Sequence, residues 1–397
     1  MRSTRTFHPP VRLLLGPGPC NVEERVLRAM AAPLIGYFDP TLPEVTGEIR
    51  RLLQAVFGTT SAATFPLSGT GMSGMEAALV NLVEPGDTVV VGHHGFFGDR
   101  MLQLVERCGG VGVPVAAAWG EPIPAERFEA ALAKHPEAKV LAVVHAETST
   151  GVLQPLDGLS ALADRCGAFF LVDAVTSLGG HPVEVDRQGI DVCYSGTQKA
   201  LSAPPGLSPV TFSERAMAHI RGRRRPVQSF YLDVALFDQY WSTNRFYHHT
   251  PPVTFYYALL EALRMVEEEG LEARYARHRR NHLALAAGIE AMGLRMHVAA
   301  PHRLWTLNVI RIPEGADDAR VRGRLLTEFG IEIGGGLGDL KGKVWRVGLM
   351  GANSRRANVL LVLAALERIL CSEGVSCGSG LAAAGEVYAR EKAAAGK

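Results

Sequence analysis

The sequence predicts an α/β protein with a large domain on a mainly parallel sheet and a smaller α/β domain after it. Three observations carry this. Thr88-Val89-Val90-Val91, Val140-Leu141-Ala142-Val143-Val144 and Phe169-Phe170-Leu171-Val172 are short, almost wholly apolar runs, the pattern of strands buried on both faces of a parallel sheet. Stretches with helical spacing, such as Pro43 to Phe57, alternate with them. The second half again alternates strands (Trp305-Thr306-Leu307-Asn308-Val309-Ile310 and Val344-Trp345-Arg346-Val347-Gly348) with helices. The expected division is a large domain over 20–262, a small domain over 1–19 and 263–371, and a tail over 372–397.

Composition bounds the function. A chain of 397 residues with 47% hydrophobic and 20% charged residues buries a large core and suits about two domains. A net charge of +1 provides no long-range field to gather nucleic acid or acidic membranes, so neither is expected as a partner. The one basic run, Arg221-Gly222-Arg223-Arg224-Arg225-Pro226, has no interleaved aromatics and reads as a solvated helix end. The six cysteines lack metal or redox spacing, which predicts reduced thiols in cytosol and no zinc site. The start has Arg2, Arg5 and His8 but no apolar core, unlike a secretory signal. No run approaches the ~20 apolar residues of a membrane span. Ala394-Ala395-Gly396-Lys397 does not match the peroxisomal tripeptide. A soluble, cytoplasmic protein is expected.

Taken in order, Val11 to Leu15 is a short apolar run ended by Gly16-Pro17-Gly18-Pro19, a stiff bend before a helix from Val22 onward. A Gly-rich bend lets a substrate come close to backbone N–H groups, and Gly18 is the candidate point of approach. A plain turn accounts for these residues equally well. In Phe65-Pro66-Leu67-Ser68-Gly69-Thr70-Gly71-Met72, a Gly/Ser/Thr loop opens into an Ala-rich helix. Unpaired N–H groups and the positive end of the helix dipole then point at one spot, where phosphate fits. It is not a Walker loop, and its spacing fails the dinucleotide fingerprint, so nucleotide is not the preferred ligand. A bare helix start remains an alternative.

The strand at Thr88 ends in Gly92-His93-His94-Gly95-Phe96-Phe97-Gly98. An aromatic between glycines can lie flat on a planar ring, and Phe97 is the stacking candidate. His93 and His94 point to opposite faces of a strand, so one metal ion does not suit both. After Val144, the hydroxyls of His145-Ala146-Glu147-Thr148-Ser149-Thr150-Gly151 can reach a ligand's oxygens.

Asp173 closes one strand run, and Lys199 follows another in Tyr194-Ser195-Gly196-Thr197-Gln198-Lys199. The ligand crevice of an open α/β sheet lies outside the carboxyl ends of its strands, so the acid and the amine are expected to face one cavity. A lysine amine forms a Schiff base with pyridoxal phosphate, and a carboxylate at the pyridine nitrogen keeps the ring protonated. A satisfied strand-end Asp with a surface Lys is the other reading of the pair. Against it stands Ala203-Pro204-Pro205-Gly206, a turn that would pin the lysine.

From Val253 through about Met292 the pattern is one long helical stretch. His278 and His282 lie i,i+4 on it among Arg277, Arg279 and Arg280, and a solvated basic face is the reading. Arg346 sits in an apolar strand, where a guanidinium needs a carboxylate; a structural ion pair and a bound substrate carboxylate both satisfy this. Gly334-Gly335-Gly336-Leu337-Gly338 before it reads as a flexible loop able to close over substrate. After about Ser372 a linker and an exposed helix are expected.

These motifs, Leu15-Gly16-Pro17-Gly18-Pro19, Ser68-Gly69-Thr70-Gly71, Glu147 through Pro155, Val172 through Ser177, Gly196-Thr197-Gln198-Lys199 and Tyr247-His248-His249-Thr250-Pro251, together resemble the alanine–glyoxylate and serine–pyruvate aminotransferases. Those are class V members of the fold-type I pyridoxal-phosphate enzymes. The resemblance covers about Leu15 to about Leu370 and implies pyridoxal 5'-phosphate as cofactor. Lys199 matches the lysine that holds the cofactor and shuttles the proton, and Asp173 the partner of the pyridine nitrogen. Thr70, Gly71, Met72 and Gln198 match the phosphate site, Thr148 the hydroxyl near the ring oxygen, and Arg346 the arginine for the substrate α-carboxylate. Phe97 falls where the family usually has tryptophan, a departure that any flat aromatic tolerates. Tyr247 and Thr250 match residues that reach the neighbouring subunit's phosphate, which implies a homodimer with shared sites.

The implied activity is transfer of an amino group from a small amino acid, alanine or serine, to glyoxylate or pyruvate. Aminophosphonate, ureidoglycine or pyridoxamine as donor are the alternatives within the family. A cysteine desulfurase is disfavoured, because Gln198 stands before the lysine where a His is usual and the Gly334 loop has no Cys. A cofactor-binding regulator would need a nucleic-acid-reading domain or a basic face.

Overall fold

The computed structural model describes residues 8–242 and 246–395. Arg2 and Arg5, read above for a targeting signal, and the terminal Gly396-Lys397 lie outside the described residues. The large sheet has seven strands in the order Thr64–Ser68, Leu207–Phe212, Val192–Tyr194, Phe169–Asp173, Val140–Val144, Thr88–His93 and Val111–Ala116. Only Leu207–Phe212 runs against the rest, pairing antiparallel with both neighbours. Every residue of the strands over 140–144, 169–173 and 192–194 is buried, which is why their sequences show no alternation. Helices such as Gly71–Leu82, Phe96–Arg107, Ala125–Lys134 and Leu159–Arg165 connect the parallel strands. The core of this layer draws on Phe57, Phe65, Val90, Leu141, Phe170 and Phe212.

A second core, with Leu15, Ile289, Ile310, Leu325, Trp345 and Leu366, lies under a four-stranded antiparallel sheet. Its strands are Arg295–Met296, Leu307–Arg311, Val344–Gly348 and Gly334–Gly335. The N-terminal pair Leu13–Leu14 joins this half by pairing with Ile331–Glu332. Trp305 stays out of the ladder that begins at Leu307 and packs instead on His181, with ring centroids 4.0 Å apart.

Four expectations need correction. The long helical stretch is two helices, Val253–Glu269 and Leu271–Ala291, broken at Gly270, whose φ of 77° lies where other residues are strained. His278 and His282 are buried rather than solvated. His278 Nδ1 donates to the Arg274 carbonyl at 2.8 Å and its Nε2 accepts from Gly351 N–H at 2.9 Å, so burial holds it neutral with a pKa pushed down to about 3. The arginines beside them grip Glu269, Arg274 through Nη1 at 2.6 Å and Arg277 through Nε at 2.5 Å. In the basic run, Arg223 is not solvated. Its Nη1 donates to the carbonyl of Asn81 at 2.8 Å and to that of Val83 at 3.3 Å, satisfying the C-terminal end of helix Gly71–Leu82. The terminal helix Leu381–Ala395 is docked, not exposed. Ala384 is fully buried and Tyr388 O–H donates to Asn281 Oδ1 at 2.8 Å, because small residues at Gly288 and Gly380 let the chains approach closely.

Candidate active site

The carboxyl end of the parallel sheet delivers the chemistry. Asp173 is the last residue of its strand and stands in register beside Tyr194 on the next. That register puts the Tyr194 hydroxyl 2.8 Å from Asp173 Oδ2, to which it donates, while Val175 N–H donates to Oδ1 at 2.8 Å. Neither donor carries charge, so burial dominates and pushes the Asp173 carboxyl up to about 7 despite both bonds.

After Tyr194 the chain turns sharply toward Lys199. Ser195 Oγ donates to the Ala174 carbonyl at 3.1 Å, and Thr197 Oγ1 donates to the Pro204 carbonyl at 2.7 Å. The hydroxylic residues before the lysine thus fasten the turn rather than face a ligand. Lys199 is only 9% exposed. Its Nζ donates to the Pro17 carbonyl, and Gly18 lies directly over it. A Cβ at Gly18, whose φ is +109°, would come within 2.7 Å of Lys199 Nζ, so glycine is required for the lysine to occupy this place. Burial, reinforced by the Arg346 charge, pushes the Lys199 ammonium down to about 8.

Asp173 and Lys199 face one small cavity. Thr70, Gly71, Met72, Phe97, Thr148 and Gln198 line it with them, over an apolar floor that includes Val144 and Val175. At one end, helix Gly71–Leu82 begins with Thr70 as an extended N-cap whose side chain makes no capping bond. Gly71 and Met72, the first two residues of that helix, line the cavity with N–H groups that a helix leaves without an intrahelical partner, while Ser73 N–H donates to the Thr70 carbonyl at 2.7 Å. The buried Gln198 Oε1 also has no hydrogen-bond partner.

Arg346 stands at the edge of this space, 5% exposed. Its Nε donates to the Gly335 carbonyl at 2.7 Å and its Nη1 to the Thr148 carbonyl at 3.1 Å. Among the described residues no carboxylate pairs with it, so the structural ion pair weighed from sequence is absent. Burial pulls its pKa down to about 10, with Glu147 opposing. The bond to Gly335 also corrects the flexible-loop expectation: Gly334–Gly335 is a strand paired with Trp345 and Arg346. Tyr247 and Thr250 do not reach the cavity of their own chain. They lie exposed on the surface, with their hydroxyls 3.2 Å apart.

Sequence reasoning assigned nothing to Glu147 or to the Tyr194 hydroxyl. Glu147 is fully buried, and Oε2 accepts from Phe97 N–H at 3.1 Å while Oε1 accepts from Ser149 N–H at 3.0 Å. With Ser149 Oγ accepting from Phe96 N–H at 2.9 Å, it caps helix Phe96–Arg107 and thereby fixes Phe97 over the cavity. The signal was present as an acid among hydroxyls at a strand end, but its partners lie some fifty residues earlier. Among the described residues no three His, Cys, Asp or Glu side chains cluster, and no helix is long and apolar enough to cross a membrane.

Known proteins resemble this chain along most of its length. The structure of ureidoglycine–glyoxylate aminotransferase from Bacillus subtilis is 41% identical, with a TM-score of 0.95 over 97% of this chain and all of that one. Alanine–glyoxylate aminotransferase from Nostoc sp. is 46% identical, with a TM-score of 0.91 over 93% of this chain and 97% of that one. The alanine–glyoxylate aminotransferase of Callithrix jacchus is 42% identical over 91% of this chain and 88% of its own length. The family model for aminotransferase class-V matches residues 41–339, and with relatives of this closeness along almost its whole length, the chain belongs to the class V aminotransferases, pyridoxal-phosphate-dependent enzymes of the fold-type I α/β class.

Proposed function

We propose that this protein transfers the amino group of a small amino acid, alanine or serine, to glyoxylate or pyruvate, with pyridoxal 5'-phosphate held in the cavity described above. One observation carries the reading: a lysine amine and a carboxyl line the same small cavity at the carboxyl end of the sheet.

The residues fit the cofactor on three counts. The uncapped start of helix Gly71–Leu82 offers N–H groups to a phosphate, and the Gln198 side chain lining the same cavity has an Nε2 amide able to donate to it. Gly18 lets Lys199 reach the cavity, since a Cβ there would come within 2.7 Å of its Nζ. Phe97 adds a flat aromatic to a lining whose other apolar residues include Val144 and Val175, suited to a planar ring. The chemistry such a group supplies when bound is an electron sink and a carbon that takes up and returns an amine.

This chain's own residues do the rest. Lys199 holds the cofactor and, once free as an amine, takes the α-proton of the amino acid on Nζ; a pKa near 8 makes that amine available close to neutral pH. Asp173 would keep the pyridine nitrogen protonated; burial raises its own pKa in the cofactor-free chain, and a pyridinium beside it would favour the carboxylate. Thr70, Gly71, Met72 and Gln198 would hold the phosphate, and Thr148 would offer its hydroxyl to the ring oxygen. Arg346 presents its remaining Nη1 and Nη2 hydrogens to the α-carboxylate in a fork, beside Gly18. Tyr247 and Thr250 serve the neighbouring subunit of a homodimer, a reading supported by the exposed aromatics Phe38, Phe230, Tyr231 and Phe246. A cytoplasmic location is supported by six free cysteines.

(S)-ureidoglycine is the second donor reading, favoured by the 41% identity and TM-score of 0.95 to the Bacillus subtilis enzyme. The test is a set of half-reactions in which the loaded enzyme meets alanine, serine, ureidoglycine, an aminophosphonate or pyridoxamine, followed by absorbance. Rapid conversion by alanine or serine, and return by glyoxylate or pyruvate, is expected. Conversion by ureidoglycine alone replaces the first reading with the second, and no conversion by any donor overturns both.

A further inference from the structure

We infer that Ser68, His249 and His248 form a directed hydrogen-bond chain that fastens the phosphate loop to segment 246–250, making them positioning residues for the cofactor's phosphate. The inference rests on the pyridoxal-phosphate reading above. Its direction follows from which atoms can donate. His248 Nε2 lies 2.9 Å from the Phe230 carbonyl, which only accepts, so that nitrogen carries the ring proton. With a single proton on the ring, His248 Nδ1 is bare. It lies 2.8 Å from His249 Nδ1, which must donate to it. His249 Nε2 is then bare in turn, and Ser68 Oγ donates to it across 2.8 Å. Each ring nitrogen has one partner and one role, so two neutral histidines have a single arrangement available.

The rings have little room to leave it. His249 packs on Phe237 and Tyr240, each at 4.9 Å between centroids, and His248 stacks on Phe230 at 5.0 Å. The Tyr231 hydroxyl adds a second tie by donating to the Ser68 carbonyl at 3.2 Å. Ser68 ends its strand, and Thr70, which opens the phosphate-facing helix, is two residues on. Holding Ser68 therefore holds the helix start before any phosphate arrives, the condition for tight binding without an ordering cost. Tyr247 and Thr250 ride on the same segment, so one subunit's phosphate loop is tied to the residues proposed to serve its neighbour.

The test compares binding of pyridoxal phosphate and of pyridoxal, which lacks the phosphate, to the cofactor-free full chain. Ser68→Ala removes the donor; His249→Phe keeps ring packing and removes the acceptor; His249→Gln keeps an acceptor near the Nε2 position. We expect Ser68→Ala and His249→Phe each to weaken pyridoxal phosphate about fivefold, the factor of one ordinary neutral hydrogen bond. Pyridoxal binding should not change. His249→Gln should stay within about twofold of wild type, and the double variant should lose no more than either single one. Equal weakening of both ligands, or weakening of neither, overturns the inference. Should His249→Phe not fold, Ser68→Ala alone decides, since it removes one oxygen. A wild-type chain that binds neither ligand overturns the cofactor reading itself, and this inference with it.

Discussion

Replacing Arg346 is the most informative perturbation of the substrate site. The guanidinium has five N–H donors, and Nε–H and one Nη1–H are already spent on the Gly335 and Thr148 carbonyls. The remaining Nη1–H and the Nη2 pair form the edge that receives a carboxylate. Two charge-assisted bonds at ~1.5–3 kcal/mol each make Arg346→Leu worth about 3–6 kcal/mol, or roughly 10²–10⁴ in kcat/KM for alanine. Arg346→Lys keeps the charge and loses the fork, so it should recover part of that loss. The assay is the single-turnover half-reaction with alanine, run beside ethylamine, which has no carboxylate. Ethylamine should react equally slowly with wild type and Arg346→Leu, because the deleted bonds never formed. Since the Arg346 charge helps depress the Lys199 pKa, the same variant should move the pH profile of the half-reaction to higher pH. If alanine and ethylamine lose rate by the same factor, Arg346 acts only by holding Gly335 and Thr148, and the carboxylate argument is refuted.

Two further predictions concern the cofactor-free chain. Asp173 has a folded pKa near 7 against ~3.9 unfolded, so the folded state binds more protons between those values and its stability falls as pH rises through that window. The cost reaches at most ~4 kcal/mol above pH 7, and Asp173→Asn, which cannot ionise, should gain stability over wild type progressively from pH 4 to 7 in denaturant titrations; a difference that does not vary with pH would contradict the burial argument. Glu147→Ala leaves the N–H groups of Phe97, Gly98 and Ser149 without their acceptor and should cost ~2–4 kcal/mol in the same titrations, with unchanged stability counting against its role as a cap.

What the sequence disclosed and what it hid follow from how far each interaction reaches along the chain. Asp173 could be read because it closes an apolar run, Phe169 to Val172, and Lys199 because it follows a short β-prone run and precedes the Ala203-Pro204-Pro205-Gly206 turn; strand ends in such sheets share one crevice. Thr70 to Met72 could be read from a loop opening into a helix. Glu147 could not, because apart from the Ser149 hydroxyl its donors are backbone N–H groups, which carry no residue identity. Tyr194 reads as one more buried strand residue until register sets it beside Asp173. The i,i+4 spacing of His278 and His282 shows a shared face and says nothing of what covers it; Gly351 and Asn308, from later in the chain, do. The terminal helix has too few large apolar residues to announce a buried face, yet small residues let it dock closely on Leu271–Ala291.

The central claim is that Lys199 holds pyridoxal phosphate opposite Asp173. Its most direct test is borohydride reduction of the loaded enzyme followed by peptide mass mapping. The account predicts one pyridoxyl group per chain, on Lys199, and none after Lys199→Ala. A label on another lysine, or an unlabelled chain from a preparation that turns over alanine and glyoxylate, would contradict it.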